Sequence, residues 1–155
     1  MGAPKSVIKI KKDGVHYESE VDKCEYYLHE LTRAALRDVG KFIAKTFKAS
    51  FYSHFKRRTG GAGRATKYKV WSNAKTKYPR VDIGLKTGQV DGFYAYFQEF
   101  GTSKTPRLGL LQKAAKDNID EIIKIESQYL SALSKDENAA KGLIDETEYE
   151  GDANG

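Results

Sequence analysis

Two stretches of the chain repeat apolar residues at the spacing of an amphipathic α-helix. The first runs for about thirty residues from Ser19, where a serine followed three residues later by Asp22 predicts a capping box. The second covers residues 108–133, and Thr105 and Pro106 supply its expected N-cap and first helical residue. The pattern therefore predicts a long N-terminal helix and a C-terminal helix.

Between the two helices, apolar and polar residues alternate with the period of two that β-strands show. Tyr68 and Val70 mark one predicted strand, and residues 81–85 mark a second. Five aromatic residues fall within residues 93–100, and because they would lie on both faces of an extended chain, they predict a central strand covered on both sides. The predicted fold class is α+β, with the N-terminal helix and the C-terminal helix packed on a small, mainly antiparallel sheet.

The two ends of the chain have patterns of their own. Residues 1–18 alternate apolar and basic side chains around an Asp-Gly pair, which predicts a short N-terminal β-hairpin. After residue 133 the helical spacing gives way to acidic sequence with glycine and asparagine. Residues 134–155 are therefore predicted to form a flexible acidic tail.

Length and composition indicate one compact domain. The chain has 155 residues and is 39% hydrophobic, which is enough for a single core within residues 1–133. It contains no run of about 18 apolar residues and begins without an apolar signal region. Neither a membrane span nor secretion is predicted.

Positive charge is concentrated in the part of the sequence that is predicted to fold. The chain has 27 Lys and Arg against 21 Asp and Glu, and the predicted tail holds 2 of the basic and 7 of the acidic residues. Residues 1–133 therefore carry 25 basic and 14 acidic side chains, a net charge of +11. The densest part is a basic arm, residues 56–80, which has no acidic residue. Its charged residues are Lys56, Arg57, Arg58, Arg64, Lys67, Lys69, Lys75, Lys77 and Arg80.

The basic arm is suited to a polyanionic or acidic partner. It interleaves cations with Tyr68, Trp71 and Tyr78, and a nucleic-acid surface uses such cations for phosphates and such rings for bases. An acidic protein surface would fit the same charge equally well. A solvated basic hairpin without a partner is the third interpretation, and the sequence leaves all three open.

Few residues have the placement that catalysis or metal binding requires. Glu99 would share a strand face with phenylalanines, either as a catalytic acid or as a structural carboxylate bonded to the Gly101 and Thr102 amides or to an arginine. The structural interpretation is favoured, because no second titratable group stands nearby in sequence. Cys24 lies at an apolar helical position and is expected to be a buried thiol.

The histidines are scattered without the spacing of a metal-binding helix, and no phosphate-binding glycine motif occurs. No catalytic, cofactor-binding or metal-binding residue is predicted. The protein is accordingly not expected to be an enzyme.

Several short motifs in the centre of the chain occur together in one protein family. Residues 94–114 read YAYFQEFGTSKTPRLGLLQKA, with VDIGL before them and RRTGGAGR after the first predicted helix. This combination resembles the siphophage neck proteins, the gene-product-ten-like or tail-completion family of long-tailed phages, whose members are also described as minor capsid or head-tail joining proteins. The resemblance covers about residues 20–133. Its signature residues here are Thr59, Gly60, Tyr94, Ala95, Glu99, Phe100, Gly101, Thr102 and Pro106.

Two motifs depart from the family pattern. The usual Leu-Arg after Thr-Gly is replaced by Gly-Ala-Gly-Arg at residues 61–64, and the usual Pro-Phe-Leu before the last helix reads Pro-Arg-Leu at residues 106–108. These differences bear on the contacts of the loops more than on the fold.

The resemblance implies a structural virion protein without a cofactor. Family members act at the head-tail junction, so the implied location is the neck of the virion, and the host cytoplasm during assembly. Implied partners are other neck, connector and tail proteins, together with further copies of the chain that form a ring around the DNA path on assembly. Contact with packaged DNA is left open, and no contact with a membrane is expected. The alternative function is that of a nucleic-acid-binding domain that uses residues 56–80.

Overall fold

The computed structural model describes residues 8–56, 60–72, 78–86, 90–135 and 139–144. It confirms the predicted α+β class, with a long N-terminal helix, C-terminal helices and two small antiparallel sheets. In chain order the elements are β1 (Ile8–Lys12), β2 (Val15–Ser19), α1 (Val21–His54), α2 (Gly61–Ala65), β3 (Thr66–Trp71), β4 (Arg80–Leu85), α3 (Val90–Phe100), α4 (Leu110–Lys116) and α5 (Ile119–Lys135).

The fold is organised around α1, which has 34 residues and is therefore roughly 50 Å long at 1.5 Å per residue. Buried side chains along α1 enter two hydrophobic clusters. Ile43 and Phe47 join residues of α2, α3 and α4 in one cluster, and Tyr27 and Leu31 join residues of α5 in the other. The β3–β4 sheet, α4 and α5 all pack on α1, so this helix is their common support.

The start of α1 differs from the predicted capping box. Ser19 is the last residue of β2, where it pairs with Ile8, and the N-cap of α1 is Glu20, whose side chain makes no capping hydrogen bond. The predicted Ser19 cap is therefore wrong, because strand pairing keeps that residue in the hairpin. Asp22 still lies in the first turn, where the positive end of the helix dipole favours its charge.

Gly40 allows the β3–β4 sheet to lie close against α1. A Cβ atom at this position would lie 2.7 Å from Cδ2 of Tyr68, which is closer than Cβ atoms approach other atoms, and 3.2 Å from Cγ2 of Val81, which is a tight contact. The two strands thus contribute one contact each to the same site on the helix. Glycine costs the helix roughly 1 kcal/mol relative to alanine, and the close approach of the sheet offsets this cost.

The predicted strands outside the aromatic segment are confirmed. Asp13 and Gly14 have positive φ angles of 53° and 80°, as a type I′ turn requires, and they connect β1 and β2 in the N-terminal hairpin. The strands predicted at Tyr68 and at residues 81–85 are β3 and β4, which pair antiparallel from Thr66↔Leu85 to Trp71↔Arg80.

The aromatic segment, which was predicted to be a central strand, is the helix α3. Ala95 and Glu99 are four residues apart and buried, whereas Phe93 and Phe100 are exposed on the opposite side. A short run with apolar residues on every side fits a strand and a helix equally well, so periodicity could not separate them. The four-residue spacing of the alanine and the glutamate was the available signal for a helix.

The predicted C-terminal helix is divided into two, α4 and α5. The side-chain amide of Asn118 donates a hydrogen bond of 2.9 Å to the carbonyl oxygen of Ala114, which gives the end of α4 a partner that replaces the next helical N–H. The helical spacing of the apolar residues continues across this break, and for that reason the sequence pattern did not reveal it.

The predicted start of the C-terminal helix at Thr105 and Pro106 is wrong. The helix α4 begins after Gly109, whose φ of 59° marks it as a left-handed N-cap residue. Thr105 instead belongs to a turn, in which its backbone N–H donates to the Thr102 hydroxyl at 3.0 Å. Residues 101–109 therefore form a loop between α3 and α4.

Ordered structure extends past residue 133, where the flexible tail was predicted to begin. The helix α5 continues to Lys135, and residues 139–144 are also helical. Ala140 is almost fully buried, and Leu143 and Ile144 pack against the cluster that contains Tyr27. The predicted boundary is wrong for these residues, while residues 136–138 and 145–155 lie outside the described part of the chain.

Candidate interaction surfaces

Glu99 fixes the position of α3 relative to α4. Its side chain is only 3% exposed, and its two carboxylate oxygens accept hydrogen bonds from the backbone N–H groups of Leu111 at 2.9 Å and Gln112 at 3.3 Å. These groups lie in the first turn of α4, where N–H groups lack helical partners. Because Gly109 at the N-cap has no side chain, Glu99 supplies the cap from another helix.

This arrangement corresponds to the structural interpretation of Glu99. The amides that it binds belong to Leu111 and Gln112 of α4, and not to Gly101 and Thr102 as expected.

The chain also folds back over the end of α3 through its backbone. The N–H of Leu108 donates to the carbonyl of Gln98 at 3.0 Å, and the N–H of Gly109 donates to that of Glu99 at 3.3 Å. Gly101 has a φ of 78°, and a Cβ there would lie 3.0 Å from the backbone nitrogen of Arg107. The connection therefore sets which side of α3 faces the core.

The other side of α3 presents an aromatic face, formed by Phe93, Tyr94, Tyr96, Phe97 and Phe100. Four of the five rings are between 40% and 71% exposed, and Phe97 is half-buried. The rings contact one another, with centroids 4.4 Å apart for Phe93 and Phe97 and 4.7 Å apart for Tyr96 and Phe100. Sequence reasoning assigned these residues to a strand and missed this face, which their spacing on a helix would have indicated.

The exposed area of this face matches the largest apolar patches found on monomeric proteins, which often have a function. Aromatic side chains have about 150–250 Å² each, so the measured exposures correspond to on the order of 400 Å² of ring surface. The largest apolar patch on a typical monomer is about 300–600 Å² and often functional. The aromatic face is therefore a candidate protein interaction surface.

A second surface is the sheet outer face, formed by Lys67, Lys69, Trp71, Arg80 and Asp82. These residues are exposed, whereas Thr66, Tyr68 and Val70 on β3 alternate with them and are turned toward α1. Lys69 places its Nζ 3.8 Å from the centroid of the Trp71 ring, and the guanidinium carbon of Arg80 lies 5.8 Å from it. The Nε of Arg80 is 3.6 Å from a carboxylate oxygen of Asp82.

The sheet outer face accounts for only part of the predicted basic arm. Lys56 and Arg64 are also exposed, while Arg57, Arg58, Lys75 and Lys77 lie outside the described residues. Residues 61–65 of the arm form the helix α2, in which Gly61, Ala62 and Ala65 are buried. Alanine and glycine pack here because their small side chains let a short helix approach the core.

A third surface is the hairpin apolar face, formed by Ile10, Val15 and Tyr17. The register pairs Ile10 with Tyr17 and Lys12 with Val15, and residues that pair directly lie on the same face of a sheet. The three apolar side chains are between 53% and 67% exposed. On the opposite face Lys9 forms an ion pair with Glu18 at 3.0 Å. The hairpin thus has one apolar side that the described part of the chain leaves open to solvent.

The family signature residues lie at the corners of the fold. Gly60 has a φ of 74° and is the N-cap of α2, and Gly101 ends α3 with a positive φ. Ala95 packs in the cluster around Phe47. Thr102 and Pro106 are exposed in the loop after α3, and Thr59 lies outside the described residues. The buried residues among them are Ala95 and Glu99 on α3 and Gly60 at the start of α2.

One polar constellation was not found by sequence reasoning. The hydroxyl oxygen of Ser72 lies 3.1 Å from Nε2 of His29, and Nδ1 of His29 lies 3.4 Å from a carboxylate oxygen of Glu30. The second oxygen of Glu30 accepts a hydrogen bond from Arg33 at 3.3 Å. The contact of Ser72 with His29 fastens the end of β3 to α1.

Within the described ranges, no three His, Cys, Asp or Glu side chains are grouped as a metal site. Cys24, which was expected to be a buried thiol, is exposed, because the buried stripe of α1 begins beside it at Tyr27. No described helix is both long enough and apolar enough to cross a membrane.

Compared with models of protein families, with curated proteins and with solved structures, the chain has no match.

Proposed function

We propose that this protein is a structural assembly subunit of the head-tail junction in a long-tailed phage, where it packs against neighbouring protein subunits. The observation that carries the proposal is the aromatic face of α3. Its rings are held on the side of the helix opposite Ala95 and Glu99, so they contribute to a surface and not to the core of the chain. The phage location comes from the resemblance of residues 20–133 to the neck protein family.

Burial of the aromatic face would supply much of the free energy of such a contact. On the order of 400 Å² of apolar area corresponds to roughly 10 kcal/mol before the costs of association are subtracted. A stable interface takes about 800 Å² from each partner. The aromatic face alone supplies about half of that value, and the hairpin apolar face offers a further 300 Å² or so for contact with another neighbour. A subunit that meets neighbours on more than one side would use both faces.

The test is a phage complementation assay with a double substitution in the aromatic face, Phe93→Ser and Phe100→Ser. Both rings are more than half exposed, so the variant should keep its helical circular dichroism and its melting temperature. Aromatic residues at the centre of an interface each cost about 2 kcal/mol or more when truncated, roughly 30-fold in affinity. We expect filled heads and free tails to accumulate unjoined.

A matched control is available on α5, where Ile123 and Leu130 are equally exposed. The double substitution Ile123→Ser and Leu130→Ser removes similar apolar area from a different helix, and it should join heads to tails at the normal yield. If the aromatic-face variant also gives normal numbers of joined, infectious particles, the proposed function is wrong.

A further inference from the structure

We propose that the sheet outer face binds duplex DNA through the phosphate backbone. This inference goes beyond the proposed assembly role, because a single copy of the chain can bind DNA whether or not it packs in a ring. The face carries three cations, Lys67, Lys69 and Arg80, against one carboxylate, Asp82. Its net positive charge complements a partner with a dense, regular negative charge.

The cations are spaced along the face in a way that suits a polyanion. Lys67 and Lys69 stand two residues apart on one strand, so their side chains leave the sheet about 6.7 Å apart. Each strand of duplex DNA carries a phosphate about every 3.4 Å along its axis, so the two lysines meet different phosphates. Opposite Lys67 the register places Gly84, where an added Cβ would meet nothing within 4 Å. The sheet is therefore open to the approach of a broad partner.

The contacts of the Trp71 ring favour binding of a duplex over binding of a single strand. Lys69 lies over it at 3.8 Å, and Arg80 is also within reach at 5.8 Å. A base that stacked on this ring would have to displace a cation that single-strand binding also needs. The arrangement instead holds the cations in place for the outside of a duplex.

The same contacts favour DNA over an acidic protein. Protein interfaces are anchored by apolar and aromatic side chains that enter pockets of the partner. On the sheet outer face the one large ring is engaged by Lys69, and the other exposed groups are charged. A partner can then recognise this face only by its positive charge. A phosphate backbone offers the densest array of negative charges for such a contact.

Fluorescence anisotropy with the full-length protein and a labelled mixed-sequence duplex tests the proposal over a series of salt concentrations. The logarithm of the binding constant falls with the logarithm of salt by about 0.9 for each phosphate contact. Three contacts predict a slope near −2.7, and the double variant Lys67→Gln and Lys69→Gln should reduce it by about 1.8. The same variant should bind at least about tenfold more weakly at low salt.

Two further variants bracket this result. Asp82→Asn removes the opposing carboxylate and should strengthen binding, while Lys113→Gln with Lys116→Gln removes two exposed lysines from α4 and should change neither the affinity nor the slope. Equal loss of binding in the α4 variant would overturn the assignment of the face. Tighter binding of a single strand that depends on Trp71, or equally strong binding of poly-glutamate at matched charge, would overturn the assignment of duplex DNA.

Discussion

The two hairpins of this protein are locally alike and differ in what covers them. Both are two-stranded antiparallel sheets with apolar side chains on one face. In the β3–β4 sheet that face lies on α1, with Tyr68 and Val81 against Gly40. In the β1–β2 hairpin the corresponding side chains, such as Tyr17, are exposed. A two-stranded sheet is only marginally stable alone. The β3–β4 sheet is stabilised by packing on its own chain, whereas no described part of the chain covers the apolar side of the β1–β2 hairpin.

The difference teaches that strand pattern and turn chemistry specify a hairpin but not its role. The covered sheet is part of the support for the fold and presents its charged side outward. The uncovered hairpin leaves its apolar side available to another subunit, in keeping with the proposed assembly role. Substitutions that act on one sheet and spare the other therefore test the comparison directly.

The largest effect is expected from Gly40→Val, which separates the β3–β4 sheet from α1. The new side chain would overlap the base of the Tyr68 ring, whose Cγ would lie 2.9 Å from the added Cβ. Overpacking of this kind costs about 1–3 kcal/mol, and a cost near 3 kcal/mol lowers the melting temperature by roughly 10 °C in a chain of this length. Thermal unfolding followed by circular dichroism measures the change.

Gly84→Val is the matched control, since it makes the same substitution on β4 where nothing lies within 4 Å of the added Cβ. Valine is favoured in strands, so this variant should be as stable as the original protein or slightly more so. Equal destabilisation by the two substitutions would show that the close contact at Gly40 does not hold the sheet.

A smaller effect is expected from removal of one tyrosine in each hairpin. Tyr68→Ala removes a ring that packs on α1, and it should destabilise the protein by about 2 kcal/mol. Tyr17→Ala removes a ring that is more than half exposed, and it should change global stability by less than about 0.5 kcal/mol. Urea denaturation gives both values. The comparison fails if the two variants unfold at the same midpoint.

The predictable parts of this fold are those whose cause lies in local sequence. Helical periodicity was sufficient for α1, alternation was sufficient for β3 and β4, and alternation together with an Asp-Gly turn was sufficient for the β1–β2 hairpin. The aromatic segment was assigned wrongly because its rings would fall on both faces of an extended chain, and the buried side of the helix was marked only by Ala95 and Glu99. The start of α4 was assigned wrongly because its cap comes from Glu99, and such a contact across 12 residues leaves no local pattern.

The candidate surfaces were predictable to different degrees for the same reason. The charge of the basic arm is visible in the sequence, but the division of residues 66–71 into a covered and an exposed face depends on Gly40 and the packing of the sheet. The aromatic face could be found only once α3 was known to be a helix. Ala140 and its neighbours were assigned to a flexible tail because six residues are too short a segment for periodicity to detect.

The smallest effect is expected from deletion of residues 1–18, which removes the uncovered hairpin. Ile10, Val15 and Tyr17, which are lost with it, are exposed, so deletion should cost less than about 1 kcal/mol and shift the melting temperature by less than about 4 °C. In the intact protein alone, amides of β1 and β2 should exchange with solvent much faster than those of β3 and β4, because a marginal hairpin opens without global unfolding. Hydrogen exchange read by mass spectrometry resolves the two sheets. A drop of 10 °C or more on deletion, or equal protection of the two hairpins, would mean that the body of the chain covers the N-terminal hairpin. If instead β1 and β2 exchange slowly only after neck or tail proteins are added, the hairpin is covered by another protein of the assembly.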